Sequence, residues 1–361
     1  MNIVIFILFL VGLILVHELG HLGVAKLFNT RVDEFSVGFG PRLFGFVLGE
    51  TQYNFKPILL GGYVRIWGEA GEDVSGDPRA FSNKPRLIQG LVALAGVAAN
   101  FLLAIIIVTG GYMAGMPTAT SQSTVAPVAN ARATIEATIP GSPAERAGLS
   151  AGDVIVGIET GTSKLVRGAD AAVVQQFIAD HADESIVFHV LRNGSEQTFL
   201  AKGEEGIVDG RKAVGIELAD VGILKLPVHL AFAQGTLVSY EMFVDAARGF
   251  GAFLGQLVRG SADLSAIAGP IGIVQLGSSA VSAGAAAVIV LVAFISINLV
   301  LINLLPVPGL DGGRLLIIVI EAVRRKPLPT TATSIATLAG LGLIILLVLL
   351  VSAHDIARLI G

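Results

Sequence analysis

Apolar positions along this chain fall into two regimes. In four stretches, 1–25, 87–116, 285–305 and 331–353, they run on almost without interruption. Each is long enough for the roughly 20 apolar residues that a helix needs to cross a hydrocarbon core. Between the second and third stretch, from 118 to 225, charge returns and short β-rich runs appear at 134–139, 154–158, 185–191 and 197–201. Residues 169–182 carry helical spacing between two of these runs, and Asn193-Gly194 joins the last two as a hairpin signal. The pattern therefore predicts four spanning helices and one inserted α+β domain. From 226 to 262 the apolar residues recur at helical spacing with few charges. This amphipathic helix either lies on the membrane surface or packs on the inserted domain. Residues 26–86 and 311–330 are left as loops and 263–284 as a linker.

Composition supports a membrane protein. Of 361 residues, 53% are hydrophobic and 14% charged, where soluble domains carry about 25% charged residues. So few charges cannot coat a soluble enzyme of this size. The net charge is −4 and the longest basic run is Arg324-Arg325-Lys326, which argues against a nucleic-acid partner. There is no cysteine, so any metal must be held by His, Asp or Glu. The first helix lacks a basic n-region and a small-residue cleavage site, and is predicted to be retained. Basic residues gather in 26–86 and again at Arg314 and 324–326. By the positive-inside rule both loops face the cytoplasm, and the inserted domain faces outside.

The chemistry lies in two places. His17-Glu18-Leu19-Gly20-His21 sits at the end of the first span. Ionisable residues inside a span are costly and usually functional. On a helix, positions i and i+4 share one face, so two imidazoles there can converge on one Zn²⁺. Glu18 lies beside that face, placed to take a proton from water. A catalytic zinc wants a third protein ligand. The run from 264 to 310 carries no charge and is broken by Pro306 and Pro308 just before Asp311. Such a break can turn Asp311 back toward the histidines, or Asp311 can simply cap the next helix. Its pairing with the H-E-x-x-H motif favours a ligand.

Residues 140–155, PGSPAERAGLSAGDVI, resemble the PDZ family in its circularly arranged bacterial form. The resemblance implies a groove that pairs an extended peptide with a sheet edge. H-E-x-x-H in helix one, together with N-x-x-P-x-P-x-L-D-G over 303–312, resembles the site-2 protease family. The PDZ-like insertion places the likeness in its bacterial, RseP-like branch of regulated intramembrane proteolysis. The fold implied is a polytopic α-helical membrane protein with four transmembrane helices, a membrane-associated β-hairpin region within 26–86 and one inserted α+β PDZ domain. The resemblance implies one Zn²⁺ per chain on His17, His21 and Asp311, with Glu18 as catalytic base. It implies that Asn298 and Asn303 hold substrate backbone, and that Gly61-Gly62-Tyr63 belong to a strand beside the metal. The expected substrates are single-pass membrane proteins in a bacterial inner membrane, such as anti-sigma factors after a first cut, or remnant signal peptides. Membrane lipid is the other expected partner. Ala95-Gly96-Val97-Ala98-Ala99-Asn100-Phe101 resembles the family's second-helix motif, and its small residues suit close helix packing.

Overall fold

The computed structural model describes every residue except 1, 70–73, 75, 164–165, 193, 209–210, 262–268 and 361. The chain divides into two compact units, residues 1–109 with 235–361, and residues 110–234.

The first unit opens with helix α1 (Asn2–Leu27) and a four-stranded sheet, followed by α2 (Arg86–Ala114). The strands are β1 (Val32–Phe39), β2 (Phe44–Leu48), β3 (Thr51–Phe55) and β4 (Ile58–Ile66), in the spatial order β2-β3-β1-β4. The expected hairpin is thus part of a larger sheet, and β4 forms one of its edges. Four helical segments are long and apolar enough to cross a membrane: Val4–Leu27, Arg86–Ala114, Ala285–Leu304 and Thr331–Ala353. They coincide with the four predicted spans. Leu338, Leu346, Leu347, Leu349 and Leu350 on the last of them stay exposed, an arrangement that water penalises and lipid does not.

Helices approach each other where side chains are missing. A Cβ on Gly20 would come 2.5 Å from the Ala95 carbonyl oxygen and 2.8 Å from the Ala99 methyl, so α1 and α2 touch backbone to backbone. Beneath the sheet one apolar cluster joins Leu22 and Ala25 of α1, Val32, Phe35 and Val37 of β1, Ile66 of β4, Val92 of α2 and Ile318. It fixes α1 against both the sheet and α2.

Two expectations for this unit need correction, and a third is met. The linker drawn over 263–284 is, in its described part, helix α6 (Pro270–Ala283). Proline at the first turn suits a helix start, and Phe6 of α1, 1% exposed, lies against Gly277. Residues 262–268 lie outside the described residues. The loop drawn over 311–330 is mostly helix α8 (Asp311–Arg324), which ends at Arg325 in the left-handed region with φ 55°. The helix expected over 226–262 is α5 (Val228–Val258). Gly235 of this helix lies against Thr109 of α2, and the rings of Phe243 and Phe101 meet edge to face at 6.2 Å. Helices α7 (Ala285–Leu304) and α9 (Thr330–Ile360) complete the unit.

The second unit is a sheet with the order β10-β9-β7-β6-β13-β5, with β8 on β7. Its strands are β5 (Met116–Ala119), β6 (Ala129–Thr138), β7 (Val154–Thr160), β8 (Val166–Arg167), β9 (Ser185–Arg192), β10 (Ser195–Lys202) and β13 (Ile216–Leu224). A separate ribbon pairs β11 (Glu204–Val208) with β12 (Arg211–Ala213). The β9–β10 hairpin closes as expected, with Arg192 opposite Ser195 and Gly194 at φ 79°; Asn193 lies outside the described residues. Short helix α3 (Pro143–Ala147) is capped by Ser142, whose hydroxyl accepts from Glu145 N, and ends on Gly148 at φ 91°. Helix α4 (Ala171–Asp180) covers a core built on Ile135, Ile158, Ile186 and Phe188.

Candidate metal centre

His17 and His21 lie one turn apart on α1, with their Nε2 atoms 3.3 Å apart. Asp311 Oδ2 is 3.1 Å from His17 Nε2 and 3.2 Å from His21 Nε2. Among the described residues these three are the one group of His, Asp or Glu that clusters as metal ligands do.

The chain reversal that delivers Asp311 follows from sequence. Helix α7 stops at Leu304, and Leu305 turns to extended backbone before Pro306 and Pro308, neither of which can donate a helical hydrogen bond. Helix α8 then starts at once against the segment it has just left. A Cβ on Gly312 would come 2.3 Å from the Leu304 carbonyl oxygen, and one on Gly313 would come 2.1 Å from that of Val307. On the other side, a Cβ on Gly340 of α9 would overlap the Pro308 carbonyl oxygen. Three glycines thus clear space for the broken segment. Leu310 is the cap residue and makes no side-chain cap bond; Asp311 is the first helical residue. The capping alternative therefore falls away, and the carboxylate is left for the histidines.

The hydrogen bonding shows what the site is made to hold. His21 Nδ1 donates to the Val92 carbonyl oxygen at 2.8 Å. A carbonyl only accepts, so Nδ1 carries a proton, and in the neutral ring Nε2 presents a lone pair. In that neutral form it faces Asp311 Oδ2, a buried oxygen 3.2 Å away, with no proton between them. Buried acceptors facing one another without a donor are unfavourable. A cation removes the conflict. The three atoms form a triangle with edges of 3.1–3.3 Å. Tetrahedral zinc with bonds of ~2.0–2.1 Å spaces its ligands about 3.3–3.4 Å apart. The donor set, with no thiolate available, and the spacing both fit zinc.

Helix α2 forms the wall behind the imidazoles. A Cβ on Gly96 would sit 2.4 Å from His21 Nε2 and 2.6 Å from His17 Nε2, so no other residue fits there unless the rings move. Asn100, wholly buried, sets its amide nitrogen 3.4 Å from His17 Nδ1. The sequence reading took the run containing Gly96 and Asn100 as helix packing. That holds for Ala95 and Ala99, but it missed these two. The available signal was an asparagine alone in an uncharged span.

Glu18 is half-buried and faces β4: a Cβ on Gly62 would lie 3.2 Å from Glu18 Cγ. Gly62 pairs with Val37 of β1, and Gly61 lies beneath the Phe39 ring, which a Cβ would approach to 2.5 Å. The Tyr63 side chain turns elsewhere. Its hydroxyl donates to Glu34 Oε1 at 2.7 Å and accepts from Lys56 Nζ at 2.6 Å, while Asn54 Nδ2 donates to the same carboxylate at 2.6 Å. Partial burial pushes the Glu34 carboxyl up, but the bonds from Tyr63, Asn54 and Lys56 outweigh it and hold the group below the usual carboxylate range. On α7, Asn298 Nδ2 donates to the Phe294 carbonyl oxygen of its own helix at 2.8 Å, and Asn303 is half-buried. The structure thus brings His17, His21, Asp311, Glu18 and Gly62 together, and leaves Tyr63 and Asn298 bonded to other partners.

Two imidazoles and a carboxylate meet at one point with a second carboxylate beside them, a set that fits one metal ion with a base next to it. The comparisons with known proteins agree. The model of peptidase family M50 matches residues 5–347. A relative in Clostridium perfringens, named for zinc metalloprotease activity, is 33% identical over 96% of this chain and 95% of its own length. One in Nostoc, named likewise, is 33% identical over 96% and 95%, and zinc metalloprotease RasP of Geobacillus kaustophilus is 28% identical over 99% and 98%. This chain belongs to peptidase family M50, the site-2 protease family. It is a zinc metalloprotease, and with its four apolar helices it is a membrane protein.

Proposed function

We propose that this protease cuts peptide bonds inside membrane-spanning segments of single-pass proteins, with His17, His21 and Asp311 holding one zinc ion and Glu18 as the catalytic base. The observation that carries the reading is the triangle of two imidazole Nε2 atoms and the Asp311 carboxylate at the end of a span. Zinc bound there supplies Lewis acidity toward the scissile carbonyl and the attacking water. Glu18 takes the proton from that water as it attacks and delivers it to the nitrogen of the leaving amine. A helix shields its own carbonyls, so the substrate must first unwind. The free edge of β4 offers main-chain partners to the unwound stretch, and glycine at 62 keeps that edge close to Glu18. Asn298 and Asn303 project from α7 to hold substrate backbone; Asn298 then exchanges its bond to Phe294 for one to substrate.

The second unit is a circularly arranged PDZ domain on the outer face of a bacterial inner membrane. Support comes from 140–155, which builds α3, its Gly148 cap and β7 in the order this family uses. Its role is to admit substrates whose outer domain has been trimmed, or to take a peptide at its groove. Anti-sigma factors after a first cut, and remnant signal peptides, are the substrates that suit it.

The test uses full-length protein purified in detergent, wild type beside Glu18→Gln, with a model single-pass helix lacking its outer domain. Zinc near one per chain in both, with cleavage in wild type alone, is the expected result. Absence of zinc in wild type overturns the metal assignment, and wild-type cleavage by Glu18→Gln overturns the base.

A further inference from the structure

One motif is only partly absorbed by that reading. Val92, Gly96 and Asn100 are spaced by four residues and lie on one face of α2. They meet the two histidines, themselves four apart on α1, in turn. The Val92 carbonyl oxygen accepts from His21 Nδ1, Gly96 clears both rings, and the Asn100 amide faces His17 Nδ1. The first contact fixes the tautomer of His21. The last one has the position to do the same for His17.

We infer that Asn100 is a positioning residue, one that holds His17 with its proton on Nδ1 and its Nε2 lone pair toward the zinc. The inference rests on His17 being a zinc ligand. For Nε2 to ligate, Nδ1 must keep its hydrogen, and the group opposite it must accept. An asparagine amide meets that demand when Oδ1 faces the ring. The structure holds the amide ready for the exchange: Nδ2 lies at a long 3.4 Å from Nδ1, and Oδ1 is buried with no hydrogen-bond partner. A half-turn of the amide about χ2 puts the unpartnered oxygen opposite the ring N–H, and metal loading selects this rotamer. The main chain at this point is already anchored, because Ser296 Oγ on α7 donates to the Asn100 carbonyl oxygen at 2.8 Å, and both residues are wholly buried. The side chain is thus free to turn while its backbone is not.

The experiment measures zinc affinity by chelator competition on the full-length protein, for wild type, Asn100→Asp, Asn100→Leu and His17→Ala. Asn100→Asp keeps an oxygen opposite Nδ1 and is expected to hold zinc within a few-fold of wild type. Asn100→Leu keeps the volume, removes the acceptor and is expected to bind zinc about 10–100-fold more weakly. Cleavage at limiting zinc should fall in step through the loaded fraction, lowering apparent kcat with KM little changed, and should recover as zinc is raised. Equal zinc affinity in the leucine variant and wild type overturns the inference, as does equal weakening by aspartate and leucine, which would mark a packing effect. His17→Ala separates the two levels: if it binds zinc like wild type, the ligand assignment itself has failed. Should the leucine variant not fold, ¹⁵N-histidine spectra of zinc-loaded wild type decide. Both metal-bound imidazoles should carry their proton on Nδ1; a zinc-bound ring without one overturns the role given to Asn100.

Discussion

Each unit of this protein buries an aspartate, and the two are treated in opposite ways. Asp153 in the sheet unit is 1% exposed and saturated with donors: Arg192 Nη2 at 2.6 Å, Arg192 Nε at 2.7 Å and Ser150 N at 2.9 Å. Asp311 in the helical unit turns one oxygen to two imidazoles, and the neutral ring that donates to Val92 has no proton left for it. A buried charge with a full set of donors is part of the scaffold. A buried charge facing other acceptors costs stability until a ligand arrives. The contrast separates structure from function without reference to motif.

It can be broken most directly at the metal. Stripping zinc with a chelator should take cleavage to background and restoring zinc should recover it, while the Asp153–Arg192 pair is indifferent; a protein that cleaves unchanged without zinc would remove the basis of the comparison. The second aspartate then gives the opposite sign in the two units. Asp153→Asn should destabilise its unit by about 1–3 kcal/mol, because charge-assisted bonds to Arg192 and Ser150 are weakened, and leave zinc content at wild-type level. Denaturant titration and metal analysis read both. In the metal-free protein, Asp311→Asn should leave the thermal midpoint unchanged or raise it, since it removes one of the facing acceptors, while zinc binding is lost. A fall in that midpoint as large as that of Asp153→Asn would show that Asp311 is scaffold.

A smaller effect concerns the sheet beside the metal. The Glu34 carboxyl is held below its usual range in the fold and returns to about 4.3 when unfolded. A depressed carboxylate stabilises above its unfolded pKa, and the contribution fades as pH falls through the depressed value. The β1–β4 pairing should therefore loosen in acid, below about pH 4, and amide exchange at Ser36 and Tyr63 should report it. Tyr63→Phe removes one of the bonds to Glu34, should cost about 1 kcal/mol, and should shift the acid transition upward. If the transition does not move, the Glu34 cluster does not support β4.

Much of this was legible in the sequence because the physics is local. A span is a run of apolar residues, and His17 and His21 share a face by helix geometry alone. The prolines at 306 and 308 announced a break. What the sequence did not disclose depends on partners distant in the chain. Helix α6 reads as linker in the sequence because Phe6 of α1, on which it packs, lies far away along the chain. Helix α8 enters the sequence only as the helix that Asp311 could cap, and its length to Arg324 appears in the fold. Gly96 looked like every other small residue in a membrane helix, and its purpose appears only when two rings from another helix fill the space where a side chain would be. Asn298 and Tyr63 were placed by family likeness, and the hydrogen bonds they make here were outside its reach.

The position of β4 at the rim of its sheet carries a consequence for selection under the proposed reading. Main-chain amides and carbonyls are the same in every residue, so a strand that captures its target through them cannot spell out a recognition sequence. What it can measure is how readily a guest helix comes apart. A glycine or a β-branched residue in the guest lowers the cost of opening by up to about 1 kcal/mol, roughly fivefold in the open population. Targets of this enzyme should then share softness at one depth in the bilayer and little else, and an alignment of their sequences would show no consensus to find.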